Sequence, residues 1–389
     1  MTADVIHLLT GEYPPVPGGV GDYTSQVARG LSERGAEVHV WAPGYATAQH
    51  NGGVIVHRSA GRFTRADLWR IGAELDARPG RIILQWVPHA FGRRSMNFAL
   101  ARWCRQRALL SGNRLELMVH EPCCAFGEGK WRQNLVACVH RAMLALLLDG
   151  ASKVWVSIPK WEAVLRRWCL RGLPDFEWLP VPSNVATAVN AGDVLMTRQQ
   201  ILLPGQQLVG HFASGGRGIA PLLKTALVDL LSGSHCVILL VGRDSDGLRE
   251  DFLAEYSQFE KRVMSTGALS PVDVARYLSA CDLVIQPYPD GVSTRRGTAM
   301  AALALGVPMV TNFGHLSEEI WIETHAVGLA ACGKDLAGAA MRLLDDPERR
   351  ARLSQDSRDL YRSRFDLSVT IRALIGRDGA RSEAFPIAS

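Results

Sequence analysis

The run Val5-Ile6-His7-Leu8-Leu9, followed at residues 11–30 by GEYPPVPGGVGDYTSQVARG, decides how this chain of 389 residues is read. The five apolar-rich residues read as a buried strand, and a Pro-rich loop follows. Gly18-Gly19-Val20-Gly21 comes next, and an amphipathic helix begins at about Asp22 with Val27 and Leu31 on its apolar face. A strand, a glycine loop and a helix N-terminus together suit an anion or a sugar: glycines let the backbone approach closely, and the first helical N–H groups point outward. The same turn can equally be a tight connection and nothing more. It is not the dinucleotide fingerprint, because the spacing is GGVG rather than GxGxxG. AEVHVWAP at 36–43 also ends without an acid to hold a ribose.

Outward from this stretch, apolar strand-like runs alternate with helical stretches. The runs are AEVHVWAP, GVIVHRSA at 53–60, RIILQWVP at 81–88, LELMVHEP at 115–122 and KVWVSIP at 153–159. This alternation predicts a mostly parallel sheet with helices on both faces. A turn-rich segment, LPVPSNVATAVNAG at 179–192, then interrupts it. The pattern restarts with LVGHFA at 208–213, CVILLVG at 236–242, RVMSTGAL at 262–269, DLVIQPYP at 282–289 and VPMVTN at 307–312. The expected fold is therefore α/β, with two Rossmann-like doubly wound domains and a cleft between them. Open sheets of this kind bind ligands outside the carboxyl ends of their strands, so the loops there carry the interest.

Composition narrows the classes. At 47% hydrophobic and 21% charged residues, both halves can bury a core, and long disorder is expected only near the C-terminus. No apolar run reaches the ~20 residues that span a bilayer, and no positive region precedes the first apolar stretch. The eight cysteines lack a CxxC and read as reduced thiols. These features predict a cytoplasmic protein. The net charge of +5 hides an asymmetry: residues 91–172 carry 14 Lys and Arg against 5 Asp and Glu, and nine of ten tryptophans precede residue 180. GRRSMNFALARWCRQRALL and PKWEAVLRRWCLRG read as helices with Arg and Trp interleaved. They are either solvated faces over a Trp-rich core or a contact for an anionic partner, such as the inner face of a membrane. No nucleic-acid module is present, so nucleic acid is not an expected partner.

Four loops can carry chemistry. His120 follows the strand ending at Val119, and His89 lies similarly after RIILQWVP. Ser214-Gly215-Gly216-Arg217-Gly218 follows LVGHFA and precedes a helix, a setting that suits a diphosphate. Asp290-Gly291-Val292-Ser293-Thr294-Arg295-Arg296-Gly297-Thr298 follows DLVIQPYP. Two adjacent arginines and three hydroxyls at a helix N-terminus point to phosphate, since arginines without partners have few structural uses there.

On these residues the chain resembles the family 4 retaining glycosyltransferases of GT-B fold. EYPPVPGGVGDYTSQVARGLSERGAEVHVWAP is similar to the family's opening, and LELMVHEP to its strand ending in His. GHFASGGRGIAPLL is similar to its donor-diphosphate loop. TGALSPVDVARYLSACDLVIQPYPDG with AALALGVPMVTN is similar to its donor core. The resemblance implies an acceptor-side domain at 1–185, a nucleotide-sugar domain at 186–356, and C-terminal helices at 357–389 that cross back to the first domain. It implies transfer of a sugar from a nucleotide-diphosphate sugar to an acceptor hydroxyl on a sugar, glycolipid or small molecule. Configuration would be retained, with no metal and no cofactor. His120 becomes the catalytic residue. Gly19, Gly21, Ser214, Gly215, Gly216, Arg217, Ser293, Thr294, Arg295, Arg296 and Gly297 become donor-binding, and Glu12, Gly18 and Tyr23 acceptor-side.

The chain also departs from the family. Counting back from Gly306, the positions of its Glu-x7-Glu pair hold Ser293 and Ala301, and Ser214 stands where a first basic residue is usual. The expectation is that neutralisation of the diphosphate has moved to Arg295 and Arg296. Two other readings remain open at this point: a catalytically silent binding subunit, and a nucleotide-sugar epimerase of the same fold.

Overall fold

A computed structural model describes residues 4–44, 48–92, 95–110, 112–213, 218–331 and 333–376. The chain divides into two compact units, Met1–Pro180 with Leu367–Ser389, and Val181–Asp366. Sequence reasoning set its boundaries at 185 and 356.

The first unit holds an eight-stranded sheet. Its strands are β1 (Val5–Leu9), β2 (Glu37–Trp41), β3 (Gln49–Asn51), β4 (Val54–His57), β5 (Arg81–Trp86), β6 (Arg114–Val119), β7 (Ala151–Val156) and β8 (Asp175–Trp178). They lie in the order β3-β4-β2-β1-β5-β6-β7-β8. All pairs are parallel except β3 with β4. The apolar runs are continuous because helices cover the sheet; Leu8, Leu9, Val40, Leu84, Leu117 and Val154 are fully buried. Two strands escaped the sequence reading. β3 is exposed throughout, and β8, DFEW, is polar at alternate positions, so neither shows the apolar run of a buried strand. The helix starts are locally encoded. Thr64 and Asp67 form a reciprocal capping box on Arg65–Ala77, and Asn97 caps Phe98–Ala108 through the Leu100 N–H. PKWEAVLRRWCLRG forms a helix only over Lys160–Arg166. The last helix, Leu367–Ile375, belongs to this unit; Gly30 leaves the space that Ile371 fills.

The second unit has six parallel strands. They are β9 (Leu208–Phe212), β10 (Val237–Val241), β11 (Val263–Ser265), β12 (Leu283–Gln286), β13 (Met309–Asn312) and β14 (Gly328–Ala330). The order is β11-β10-β9-β12-β13-β14. With the β3 hairpin set aside, both sheets follow the doubly wound order 3-2-1-4-5-6, extended by one strand in the first. The order reverses between β1 and β5 in one unit and between β9 and β12 in the other. At such a reversal, adjacent helices lie on opposite faces and leave a crevice at the carboxyl edge.

Candidate functional site

In the first unit the crevice is lined by the loops after β1, β5 and β6. The loop after β1 is closed on itself. The Glu12 carboxylate accepts the Val20 and Gly21 amides at 2.9 and 3.0 Å, at the N-terminus of the helix Gly19–Ser32. A Cβ on Gly18 would run into that carboxylate, and one on Gly21 would lie 3.1 Å from the Tyr13 backbone. These contacts add a structural role to the one the sequence suggested. Gly18 and Gly21 are required by the loop's own packing. Glu12, expected on the acceptor side, is the anion at this helix N-terminus, because a carboxylate eight residues upstream reaches the amides without leaving the chain. Gly19 is exposed, with open space beside it.

His120 follows β6, with its amide bonded to the Trp86 carbonyl and its carbonyl accepting from Ser157 Oγ and Trp161 Nε1. Its ring is buried, and Nε2 lies 3.0 Å from Gln85 Oε1. An amide oxygen only accepts, so Nε2 carries the proton and Nδ1 keeps a lone pair. Burial lowers the His120 pKa to about 4, so the ring is neutral at physiological pH. Tyr23 sits edge-on to it at 5.0 Å between ring centroids. Tyr23 is buried and supports His120, where the sequence reading placed it on an acceptor surface. His89 lies at a ring-centroid distance of 6.4 Å from His140, in the loop after β5.

In the second unit the crevice lies between the loops after β9 and β12. Ser214, Gly215, Gly216 and Arg217 fall outside the described residues. Gly218, with φ of 91°, abuts Pro289 and so joins the two loops. The loop after β12 is fixed by the segment that follows β13. Asn312 brackets Tyr288, accepting its amide and donating to its carbonyl, both at 2.8 Å. Gly291, with φ of 87°, packs directly on Gly314, where a side chain on either would collide. Glu318 Oε1 takes both the amide and the hydroxyl of Thr294, at 3.0 and 2.6 Å, while Oε2 takes Trp321 Nε1 at 2.7 Å. Burial raises the Glu318 pKa despite these bonds.

These contacts revise the roles expected of the loop. Thr294 and Ser293 are fully buried, so neither hydroxyl faces solvent. Arg295 and Arg296 do have a partner: both reach Asp290 Oδ2, at 2.6 and 2.7 Å. The loop curls back so that one carboxylate holds two guanidiniums. Arg296 also lies over the Tyr288 ring at 4.9 Å. Gly297 begins the helix Gly297–Leu305 with open space where its Cβ would be, whereas Ala301 is fully buried. An acid at position 301 would lie inside the helix packing. Sequence reasoning passed over Arg243, an exposed arginine just past β10 on the same edge. It also passed over Gln85, Asn312 and Glu318, which act only through long-range contacts. Asp290, five residues before Arg295, was the one partner that spacing could have shown.

Replacing Glu318 by alanine strands three buried donors, the Thr294 amide and hydroxyl and the Trp321 indole. We expect a loss of about 3 kcal/mol or more in chemical denaturation. Glu318→Gln, which keeps an acceptor oxygen, should lose clearly less; equal losses would separate the effect from those hydrogen bonds.

No family model and no curated protein matches the chain. Solved structures do. The sucrose-phosphate synthase of Thermosynechococcus elongatus is similar over 95% of this chain and 96% of that one, at 19% identity and a TM-score of 0.73. WaaG, a glycosyltransferase involved in lipopolysaccharide biosynthesis, covers 96% of this chain and is itself covered over its full length, at 15% identity and a TM-score of 0.68. HepE of Anabaena, in complex with UDP, is similar over 96% of this chain and 98% of that one, at 17% identity and 0.67. The fold is GT-B. Within it, the first unit's loops after β1 and β6 and the second unit's loops after β9 and β12 stand at the carboxyl edges of the two Rossmann-like sheets.

Proposed function

We propose that the protein is a glycosyltransferase that moves a sugar from a nucleotide-diphosphate sugar to an acceptor hydroxyl. The observation that carries this reading is the pair Arg295 and Arg296 at the point where the second sheet reverses its order, on a loop held rigid by Asn312, Gly314 and Glu318. A leaving diphosphate gains charge as its bond to the sugar lengthens, and preorganised guanidiniums stabilise it. The HepE structures with UDP and with UDP-glucose show ligands of this class on the same fold. On this reading the second unit takes the donor, the first unit takes the acceptor, and His120 contacts the transferred sugar. The bond from the anomeric carbon to the phosphate oxygen breaks, and the acceptor oxygen bonds to the same face of that carbon. The hydroxyl proton passes to the departing phosphate. Configuration is thus retained, and the arginines supply the positive charge that a metal would otherwise bring.

Calorimetry with uridine, guanosine, adenosine, cytidine and thymidine diphosphates tests the reading: one should bind, and none binding would overturn it. Arg295→Ala and Arg296→Ala should each weaken the bound diphosphate by about 1–3 kcal/mol, as for a lost charged hydrogen bond. Unchanged affinity in both would refute their role. A second reading, a silent nucleotide-sugar-binding subunit, is favoured by Ser293 and Ala301 at the family's acid positions, both fully buried. Binding without transfer or hydrolysis across a panel of donors would select it.

A further inference from the structure

The loop that begins with His120 ends at Trp131, and it carries a surface that the transfer reaction does not use. Phe126, Trp131 and Leu135 are 54%, 69% and 55% exposed. Trp131 and Leu135 stand one turn apart on the helix Trp131–Gly150. Their exposure is not that of a slack loop. Gly127 and Asn134 exchange two hydrogen bonds, from the Gly127 amide to Asn134 Oδ1 at 2.8 Å and from Asn134 Nδ2 to the Gly127 carbonyl at 3.0 Å. Gln133 Nε2 donates to the Ala125 carbonyl at 3.0 Å, and Arg141 holds the Cys124 carbonyl while lying 4.0 Å over the Phe126 ring. The chain therefore spends hydrogen bonds to hold large apolar side chains in water, a pattern that marks an interaction surface.

Charge says what covers it. Much of the positive excess between residues 91 and 172 is answered within the unit: Arg105 pairs with Asp149, Arg107 with Asp76, Lys153 with Glu177 and Arg166 with Glu162. Beside the apolar residues the cations are not answered in this way. Lys130 and Arg132 are exposed and flank Trp131, and Arg102 is exposed one turn along the helix from Phe98, itself 51% exposed. Among the described residues none of these three forms an ion pair. Glu128 is the only exposed carboxylate between residues 120 and 141. A second copy of the chain would bring like charges together on this face, whereas a bilayer with anionic headgroups complements it. Aromatic rings settle at the headgroup boundary, and lysine and arginine reach the phosphates. The helices Phe98–Ala108 and Trp131–Gly150 both start at the carboxyl edge of the first sheet, the edge that carries His120.

We propose that Phe126, Trp131 and Leu135, with Lys130, Arg132 and Arg102, dock the protein on an anionic bilayer. Docking there sets the loop of His120 at headgroup level. The proposal deepens the transfer reading by making the acceptor a membrane-resident amphiphile whose hydroxyl projects from the lipid surface. It stands apart from that reading in its test, since vesicle binding needs neither donor nor turnover.

The full chain is sedimented with vesicles of phosphatidylcholine alone and of phosphatidylcholine mixed with phosphatidylglycerol. We expect binding to the mixed vesicles that weakens as salt is raised, and little to the neutral ones. Trp131→Ser with Leu135→Ser should lower the partition by about tenfold or more, as should Lys130→Glu with Arg132→Glu. The first pair also leaves the donor-side calorimetry unchanged. Should the double variants fail to fold, the contrast between the two vesicles with the unaltered protein and with Trp131→Gln decides. Equal binding to neutral vesicles, no binding to either, or a dimer in solution that Trp131→Ser dissolves would each overturn the proposal. Loss of nucleotide binding with vesicle binding intact would instead overturn the transfer reading.

Discussion

Turnover in His120→Ala is expected to fall by about a hundredfold or more at saturating donor, while the thermal transition should move by only a few degrees. The two readouts separate because the side chain is held by a hydrogen bond to Gln85 and a ring contact with Tyr23. Its truncation leaves a small cavity and one unpaired amide oxygen, at a cost of about 1–3 kcal/mol. The backbone of residue 120, which ties β5, β6 and β7 together through Trp86, Ser157 and Trp161, is untouched. On the proposed reading, what the variant loses is a neutral imidazole whose Nε2 proton is already committed and whose Nδ1 would accept from the transferred sugar. A rate near that of the unaltered enzyme would end the assignment of His120. A collapse of the thermal transition would show that the residue is a packing element instead.

The second large effect is loss of stability in mild acid. His7, His57, His120 and His211 all have pKa values lowered to about 4, in each case first by burial. In the unfolded chain they titrate near 6.5, so between pH 4 and 6.5 the unfolded state binds more protons. Stability is therefore complete above about 6.5 and is lost as pH falls toward 4. For a fully buried histidine such as His120 or His211 the shift amounts to roughly 3 kcal/mol over that window; half-exposed His57 contributes less, and because it is coupled to His7 the two do not simply add. Geometry gives the same sign at His7. Trp41 Nε1 donates to His7 Nδ1 at 3.2 Å, and His7 Nε2 donates to the Arg78 carbonyl at 2.9 Å. A second proton on Nδ1 would face the indole N–H. Next to it, His39 is hydrogen-bonded to Glu37 on one side and to His57 on the other, and a positive charge anywhere in this group of rings disfavours a second on His7 or His57. Melting temperatures should be flat from pH 8 to about 6.5 and fall steeply below 6. The carboxylates with lowered pKa values, Glu37, Asp67 and Glu116, add to the loss only at lower pH. A melting temperature that stays level down to about pH 4.5 would overturn this account.

Much of the fold was legible because its signals are local. Among the described residues, eleven of the fourteen strands coincide with apolar runs that sequence periodicity alone delimits, β1 and β12 among them. The missed strands, β3, β8 and β14, are short or lie on sheet edges with polar or sparse patterning. The site was legible as places rather than as contacts. The loops after β1, β6 and β12 were found, because a doubly wound sheet puts ligands at strand ends whatever the residues are. The partners were not. Glu12 was read as facing an acceptor because nothing in the spacing says that a carboxylate turns back onto amides eight and nine residues later. Arg295 and Arg296 were read as without partners because only the curl of the loop brings Asp290, five and six residues earlier, back to their guanidiniums.

The sequence by itself determined two βα-alternating units, the turn between them and the loops at which chemistry is placed. Periodicity and glycine spacing are properties of neighbouring residues. Only the tertiary structure decided the electrostatics. It is folding that brings Glu318 to Thr294, Gln85 to His120 and Asp290 to both arginines, because each of these bonds depends on how strands and loops are laid side by side. The opening glycine loop shows the division. Its residues announce a helix N-terminus suited to an anion, and the fold supplies that anion from within the chain as the carboxylate of Glu12.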